Sequence, residues 1–191
     1  MKTLYIDNKK VSNPNTFDYL VSKKVNIPSP RKNELLIKTL SSGLCATDIS
    51  KILNPSINKM NKNKKIYLGH ETIGKVIKAG EKKLNYMVGK NVAIGDINGC
   101  KSFSIKNECE YCKKKQGIFC IKKEKRKYNS NSYAGFSEYF LRSPHQCIIL
   151  KKNINKKNSI FIEPLSTCIN LIRNCEKNDT ILINGLGTIS I

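Results

Sequence analysis

Between Cys100 and Lys127 the chain has almost no apolar periodicity, yet it carries four cysteines: Cys100, Cys109, Cys112 and Cys120. A polar stretch of this kind has too little apolar surface for a core of its own. Something else must hold it. Four thiolates on one loop can close a tetrahedral zinc site, and the Cys109-Glu-Tyr-Cys112 turn lets two sulfurs face one ion. Disulfides are the competing reading, although cytosolic thiols usually stay reduced. Scattered free cysteines are the third reading, but free cysteines favour apolar stretches, and these lie among Lys, Glu, Asn and Gln. Cys100 has the loosest spacing of the four.

A second set of metal-ligand residue types is spread more widely. Cys45 lies in Gly43-Leu-Cys-Ala-Thr-Asp48, His70 and Glu71 follow Gly69, and Glu163 opens Glu163-Pro164-Leu165. Cysteine, histidine and carboxylate are the donors of an open catalytic zinc. Each falls at the boundary of an expected element, where side chains can converge on a cleft. Singly, each has a plainer reading: a buried thiol, a hydrogen-bonded histidine, and an acid favoured by a helix N-terminus.

The rest of the pattern is mostly β. Apolar or β-branched runs predict strands at Thr3–Ile6, Leu35–Thr39, Thr72–Ala79, Asn91–Ile94, Phe136–Arg142, Cys147–Leu150 and Thr180–Ile183. Asp48–Leu53 reads as a short helix stopped by Asn54-Pro55, and Asn58–Lys65 as a loop. Leu165–Asn174 has helical spacing. The change from strands to helix, strand and glycine turn places a domain boundary near residues 151–160. Cys147, Cys168 and Cys175 read as packing residues, and His145 as a surface residue.

The formal net charge is +21 on 191 residues. Thirty-one of the 35 basic residues are Lys, beside 22 Asn and 25 Ile. This joint bias reads as codon drift. Nucleic-acid binders favour Arg forks and stacked aromatics, so nucleic acid is not expected as the main partner. No run of about 18 apolar residues occurs, so no membrane span is expected. With no secretory signal read at the start, a cytoplasmic location is expected.

Seven motifs in order then carry a resemblance: Gly43-x-Cys45-x-Thr47-Asp48, Gly69-His70-Glu71-x-x-Gly74-x-Val76, Val88-Gly89-x-x-Val92, the cysteine loop, Gly135-Phe136-x-Glu138-Tyr139, Glu163-Pro164-Leu165 and Gly185-x-Gly187. The series resembles the zinc-dependent medium-chain dehydrogenase/reductase family of alcohol and polyol dehydrogenases. The resemblance implies an α/β two-domain protein. A mainly β GroES-like catalytic domain would span residues 1–155, and the truncated start of a Rossmann domain residues 156–191. It implies two zinc ions per chain and NAD or NADP. Cys45, His70 and Glu163 would be catalytic zinc ligands, and Glu71 a neighbouring carboxylate that can exchange with water. Glu at 163, where other members have Cys, resembles the sorbitol, threonine and glucose dehydrogenase branch. Thr47 would relay the substrate proton, and Asp48 would hold His70. Gly185 and Gly187 would form the dinucleotide turn, with Ser190 in place of a third glycine.

The family's usual first structural cysteine position is Lys106 here. Ser102–Asn107 is therefore read as part of an insertion, with Cys100 kept as a ligand beside Cys109, Cys112 and Cys120. The expected activity is hydride transfer between an alcohol or polyol, or the corresponding ketone, and NAD(P). A truncated chain is expected to be inactive alone, and the full-length form to be a homo-oligomer. The rival class is a basic zinc-binding module for nucleic acid or protein partners; an inactive remnant is a third reading.

Overall fold

The computed structural model describes residues 1–11, 16–54, 65–95, 99–122, 132–154, 157–173, 175–183, 185 and 187. Among the described residues eight strands occur, β1 Lys2–Asp7, β2 Leu20–Lys24, β3 Leu35–Ser42, β4 Lys65–Tyr67, β5 Thr72–Ala79, β6 Asn91–Ile94, β7 Tyr139–Arg142 and β8 Cys147–Ile149. Among the same residues three α-helices occur, α1 Ala46–Leu53, α2 Glu110–Lys113 and α3 Ile162–Ile172.

The strands form two antiparallel sheets, one of order β2-β1-β4 and one of order β7-β3-β5-β6-β8. Antiparallel order lets short turns join neighbours, as Gly80 and the 3-10 turn Lys82–Met87 do between β5 and β6. The main core lies against the five-stranded sheet. Leu35 and Ile37 of β3, Val76 of β5, Val92 of β6 and Phe140 of β7 are fully buried there. Each such side chain contributes about 1.5–3 kcal/mol relative to exposure. A smaller cluster of Ile6, Tyr19 and Leu68 supports the second sheet.

Most expected elements occur, and the differences have backbone causes. Strands β2 and β4 lack the long apolar run that marks a strand in sequence; pairing to both edges of β1 makes them strands. The run from Phe136 enters β7 only at Tyr139, because Phe136 is engaged elsewhere. Its N–H donates to Leu68 O at 3.1 Å and its carbonyl accepts from Leu4 at 3.0 Å, tying the sheets together. The expected strand Thr180–Ile183 does not form, since no strand among the described residues pairs with it. Ile181, Leu182 and Ile183 are exposed instead. The expected loop Asn58–Lys65 lies outside the described residues apart from Lys65, which starts β4, and Ser190 lies outside them too. Among the described residues no helix is long and apolar enough to cross a membrane.

Candidate metal centres

Strand pairing explains why Cys45 meets His70 and Glu71 across 25 residues of sequence. In the antiparallel pair β3–β5, Ser42 at the end of β3 faces Thr72 at the start of β5. The chain just after β3 therefore lies beside the chain just before β5. Gly43 N–H extends the ladder by donating to Glu71 O at 2.8 Å. A register shift between Thr39 and Ser41 re-aims the end of β3, as bulges near functional sites do. The sulfur of Cys45, a nitrogen of His70 and a carboxylate oxygen of Glu71 all lie within 4.8 Å of one another.

Gly69 allows this approach. Its φ is +85°, and a Cβ there would sit 2.8 Å from both Phe136 N and Ser42 Oγ. Only glycine takes that left-handed conformation without strain and without the clash.

Asp48 organises the site from below. Its side chain is only 1% exposed. Oδ1 accepts from Gly69 N–H at 3.3 Å, Oδ2 accepts from Cys45 N–H at 3.4 Å, and Oδ2 lies 3.8 Å from His70 Nδ1. One carboxylate thus joins the start of α1 to the turn before β5. Burial pushes the Asp48 carboxyl up, but the facing His70, the Gly69 N–H hydrogen bond and the Lys51 charge outweigh it and hold it low. His70 is raised to about 9, first by the Asp48 carboxylate facing its Nδ1 and against its own burial. The charges of Asp48, Cys45 and Glu163 add to that rise.

Glu163 sits in the first turn of α3 and is half-buried. Its charge is felt at His70, but it is not part of the tight Cys45–His70–Glu71 group. Thr47 is exposed on the first turn of α1. Gly185 has φ +100°, and neither Gly185 nor Gly187 has an atom within 4 Å of where a Cβ would stand.

The four loop cysteines converge as well. Their sulfurs lie within 4.8 Å of one another, and none forms a disulfide. Cys100 Sγ is 3.6 Å and Cys109 Sγ 3.9 Å from Cys120 Sγ. A disulfide needs about 2.05 Å. Four sulfurs at about 2.3 Å from a central zinc would stand about 3.8 Å apart, so the donor set and its spacing fit that ion. Cys100, Cys109 and Cys120 are buried, with Ile105 and Tyr111 packed around them. The backbone N–H of Cys112, with that of Ile121, holds the Cys109 thiol down to about 6 despite desolvation, whereas burial pushes the Cys100 and Cys112 thiols up, so Cys109 is the sulfur that most readily carries the negative charge. Lys106 is exposed; Cys100 takes the fourth place because the segment between turns back on itself. Ile105 N–H donates to Cys100 O at 3.0 Å, and Ser104 and Asn107 have φ of 51° and 58°.

Among the remaining cysteines, Cys147 donates to Ser143 O at 3.4 Å, and burial pushes its thiol up to about 12, as a packing residue requires. Cys168 is half-buried, whereas Cys175 is exposed rather than packed. The one site feature not foreseen is the bond from Asp48 to Gly69. An acid at the third helical residue after Cys45 signals an N-terminal cap, but its second partner depends on the fold.

A mostly β domain with a Cys–His–carboxylate cluster and a four-cysteine loop defines a class of zinc-type dehydrogenase domains. Residues 31–152 match the family described as the alcohol dehydrogenase GroES-like domain, and the chain belongs to that family. It is 28% identical over 145 residues to a sorbitol dehydrogenase of Bombyx mori, covering 75% of this chain and 39% of that protein. It is 27% identical to an uncharacterised zinc-type alcohol dehydrogenase-like protein of Escherichia coli, covering 73% of this chain and 39% of that one. The structure of galactitol-1-phosphate dehydrogenase from Escherichia coli superposes with a TM-score of 0.66 at 25% identity, over 92% of this chain and 46% of that one. The chain thus spans less than half the length of these relatives.

Proposed function

We propose that residues 1–155 are the zinc-binding catalytic domain of an oxidoreductase, and that residues 156–191 begin its dinucleotide-binding domain. The reaction is hydride transfer between an alcohol or polyol and NAD(P). The observation that supports this reading most is the meeting of Cys45, His70 and Glu71 above the buried Asp48. The sorbitol and galactitol-1-phosphate dehydrogenases among its relatives favour a polyol.

Cys45, His70 and Glu163 would hold a catalytic zinc, and Cys100, Cys109, Cys112 and Cys120 a structural one. Bound there, zinc supplies a Lewis acid for the substrate oxygen, and NAD(P) supplies the hydride carrier. Asp48 lies toward His70 Nδ1 and so leaves Nε2 as the nitrogen to face a ligand. Glu71 stands close enough to exchange with water as a further carboxylate. Thr47, exposed beside Cys45, carries the substrate hydroxyl proton toward solvent. Gly185 and Gly187 offer the open, side-chain-free backbone that a pyrophosphate needs.

Metal counting tests the assignment. The chain should hold two zinc ions, and Cys45→Ala should hold one. In cobalt-substituted protein, a polyol should perturb the visible spectrum, and the perturbation should vanish in Cys45→Ala. A single metal ion that persists unchanged in Cys45→Ala would overturn the catalytic site. Tight, salt-sensitive RNA binding by that one-metal protein would instead mark a basic zinc-binding module.

A further inference from the structure

The segment between Cys100 and Cys109 does more than return a cysteine to its cluster. It walls an open cavity of about 490 Å³ against Asn33 and His145. Three distant parts of the chain meet there, before β3, after β6 and before β8. The volume lies within the range of small-molecule sites.

The lining is rich in donors. Asn33 Nδ2 donates to Ser104 Oγ at 3.3 Å, so the Ser104 hydroxyl proton is free to point elsewhere. The left-handed backbone at Asn33, Ser104 and Asn107 turns these three side chains out of regular structure. Lys101 and Lys106 add two ammonium groups, and exposed His145 a ring nitrogen. The single acid in the wall, Glu108, is 3.3 Å from Lys101 and is thereby engaged. Lys106 makes no ion pair among the described residues.

We propose that this cavity binds a small phosphate-bearing ligand, through Lys106, Ser104 and His145, at a site separate from both metal clusters. Ammonium and hydroxyl donors lining one cavity can make charge-assisted hydrogen bonds to a phosphate oxygen, which are stronger than neutral ones. Lys101 keeps Glu108 from repelling the ligand. Ile105 lines the cavity and also packs against the four cysteines, so an occupied cavity braces the cysteine loop.

The test is a titration followed by NMR at about 0.15 M ionic strength, where diffuse surface charge is screened. Glycerol 3-phosphate and inorganic phosphate should give saturable shifts at Ser104, Ile105 and His145, and glycerol none. Lys106→Glu and His145→Gln should each weaken binding, the former by about tenfold or more. Lys38→Glu removes an equal charge from an exposed strand position and should leave affinity within about twofold. Equal weakening by Lys38→Glu would reduce the effect to net charge and overturn the site. Non-saturating shifts, or equal response to glycerol, would overturn it as well. The metal content of the variants stays that of the parent, which separates this outcome from failure of the dehydrogenase reading.

Discussion

Asp48 concentrates several roles in one side chain: helix cap, partner of Gly69 and counter-charge of His70. Asp48→Asn keeps the shape and removes the charge. In metal-free protein the His70 ring should then titrate closer to 6.5 than to 9, as NMR of the imidazole would show. Loss of the charged bonds should also cost about 1–3 kcal/mol in urea unfolding. The sign of the pH dependence follows from the same pair. A histidine raised to about 9 stabilises the metal-free fold fully below pH 6.5, and that stability is lost as pH rises through 9. Denaturant midpoints of metal-free protein should therefore fall between pH 6.5 and 9, and His70→Gln should flatten that slope. At Gly69, alanine forces both a positive φ and a clash with Phe136 and Ser42. Gly69→Ala should lower stability by about 1–3 kcal/mol and reduce metal binding at Cys45.

Elements explain how the chain turned these residues into sites. The β3–β5 ladder places Gly43 opposite Glu71, and so any residue a few steps beyond inherits that proximity. The cysteine loop is the opposite case, since only α2 and short 3-10 turns hold it locally. Its small core is three buried sulfurs with Ile105, Tyr111 and Cys112. Cys100→Ser should therefore remove one metal ion per chain and expose amides 99–122 to hydrogen exchange, with β3 and β5 still protected. Lys106→Ala should change neither. Loss of the cluster in Lys106→Ala, or its survival in Cys100→Ser, would return the fourth ligand to another residue.

For the molecule as a whole, the two ends differ in how they bury apolar surface. The sheets enclose Leu35, Ile37, Val76, Val92 and Phe140, whereas α3 buries no residue. Leu165, Ile169, Leu171 and Ile172 on α3, and Ile181–Ile183 beyond it, stand exposed. Apolar surface of that extent drives association in water. The chain should bind a hydrophobic dye and self-associate in sedimentation, and Ile169→Lys with Leu182→Lys should reduce both. Unchanged sedimentation in the double variant would place the association elsewhere.

Periodicity was enough for the strands β1, β3, β5, β6 and β8 and the helices α1 and α3, and motif order for residues that the fold brings together, the four loop cysteines and Cys45 with His70 and Glu71 but not Glu163, because alternation and donor chemistry are local properties of residue types. Short strands β2 and β4 were not legible, since each depends on the neighbour it pairs with. Thr180–Ile183 shows the converse: strand propensity is written in its residues, but a strand exists only where another backbone accepts its hydrogen bonds. The sequence by itself determined which residues are able to bind metal. The resemblance already named Cys100 beside the other loop cysteines and Asp48 beside His70; only the tertiary structure supplied the distances, 3.6 Å from Cys100 Sγ to Cys120 Sγ and 3.8 Å from Asp48 Oδ2 to His70 Nδ1. Those distances are fixed by how a loop returns and by which strand ends meet, and chain separation does not encode either.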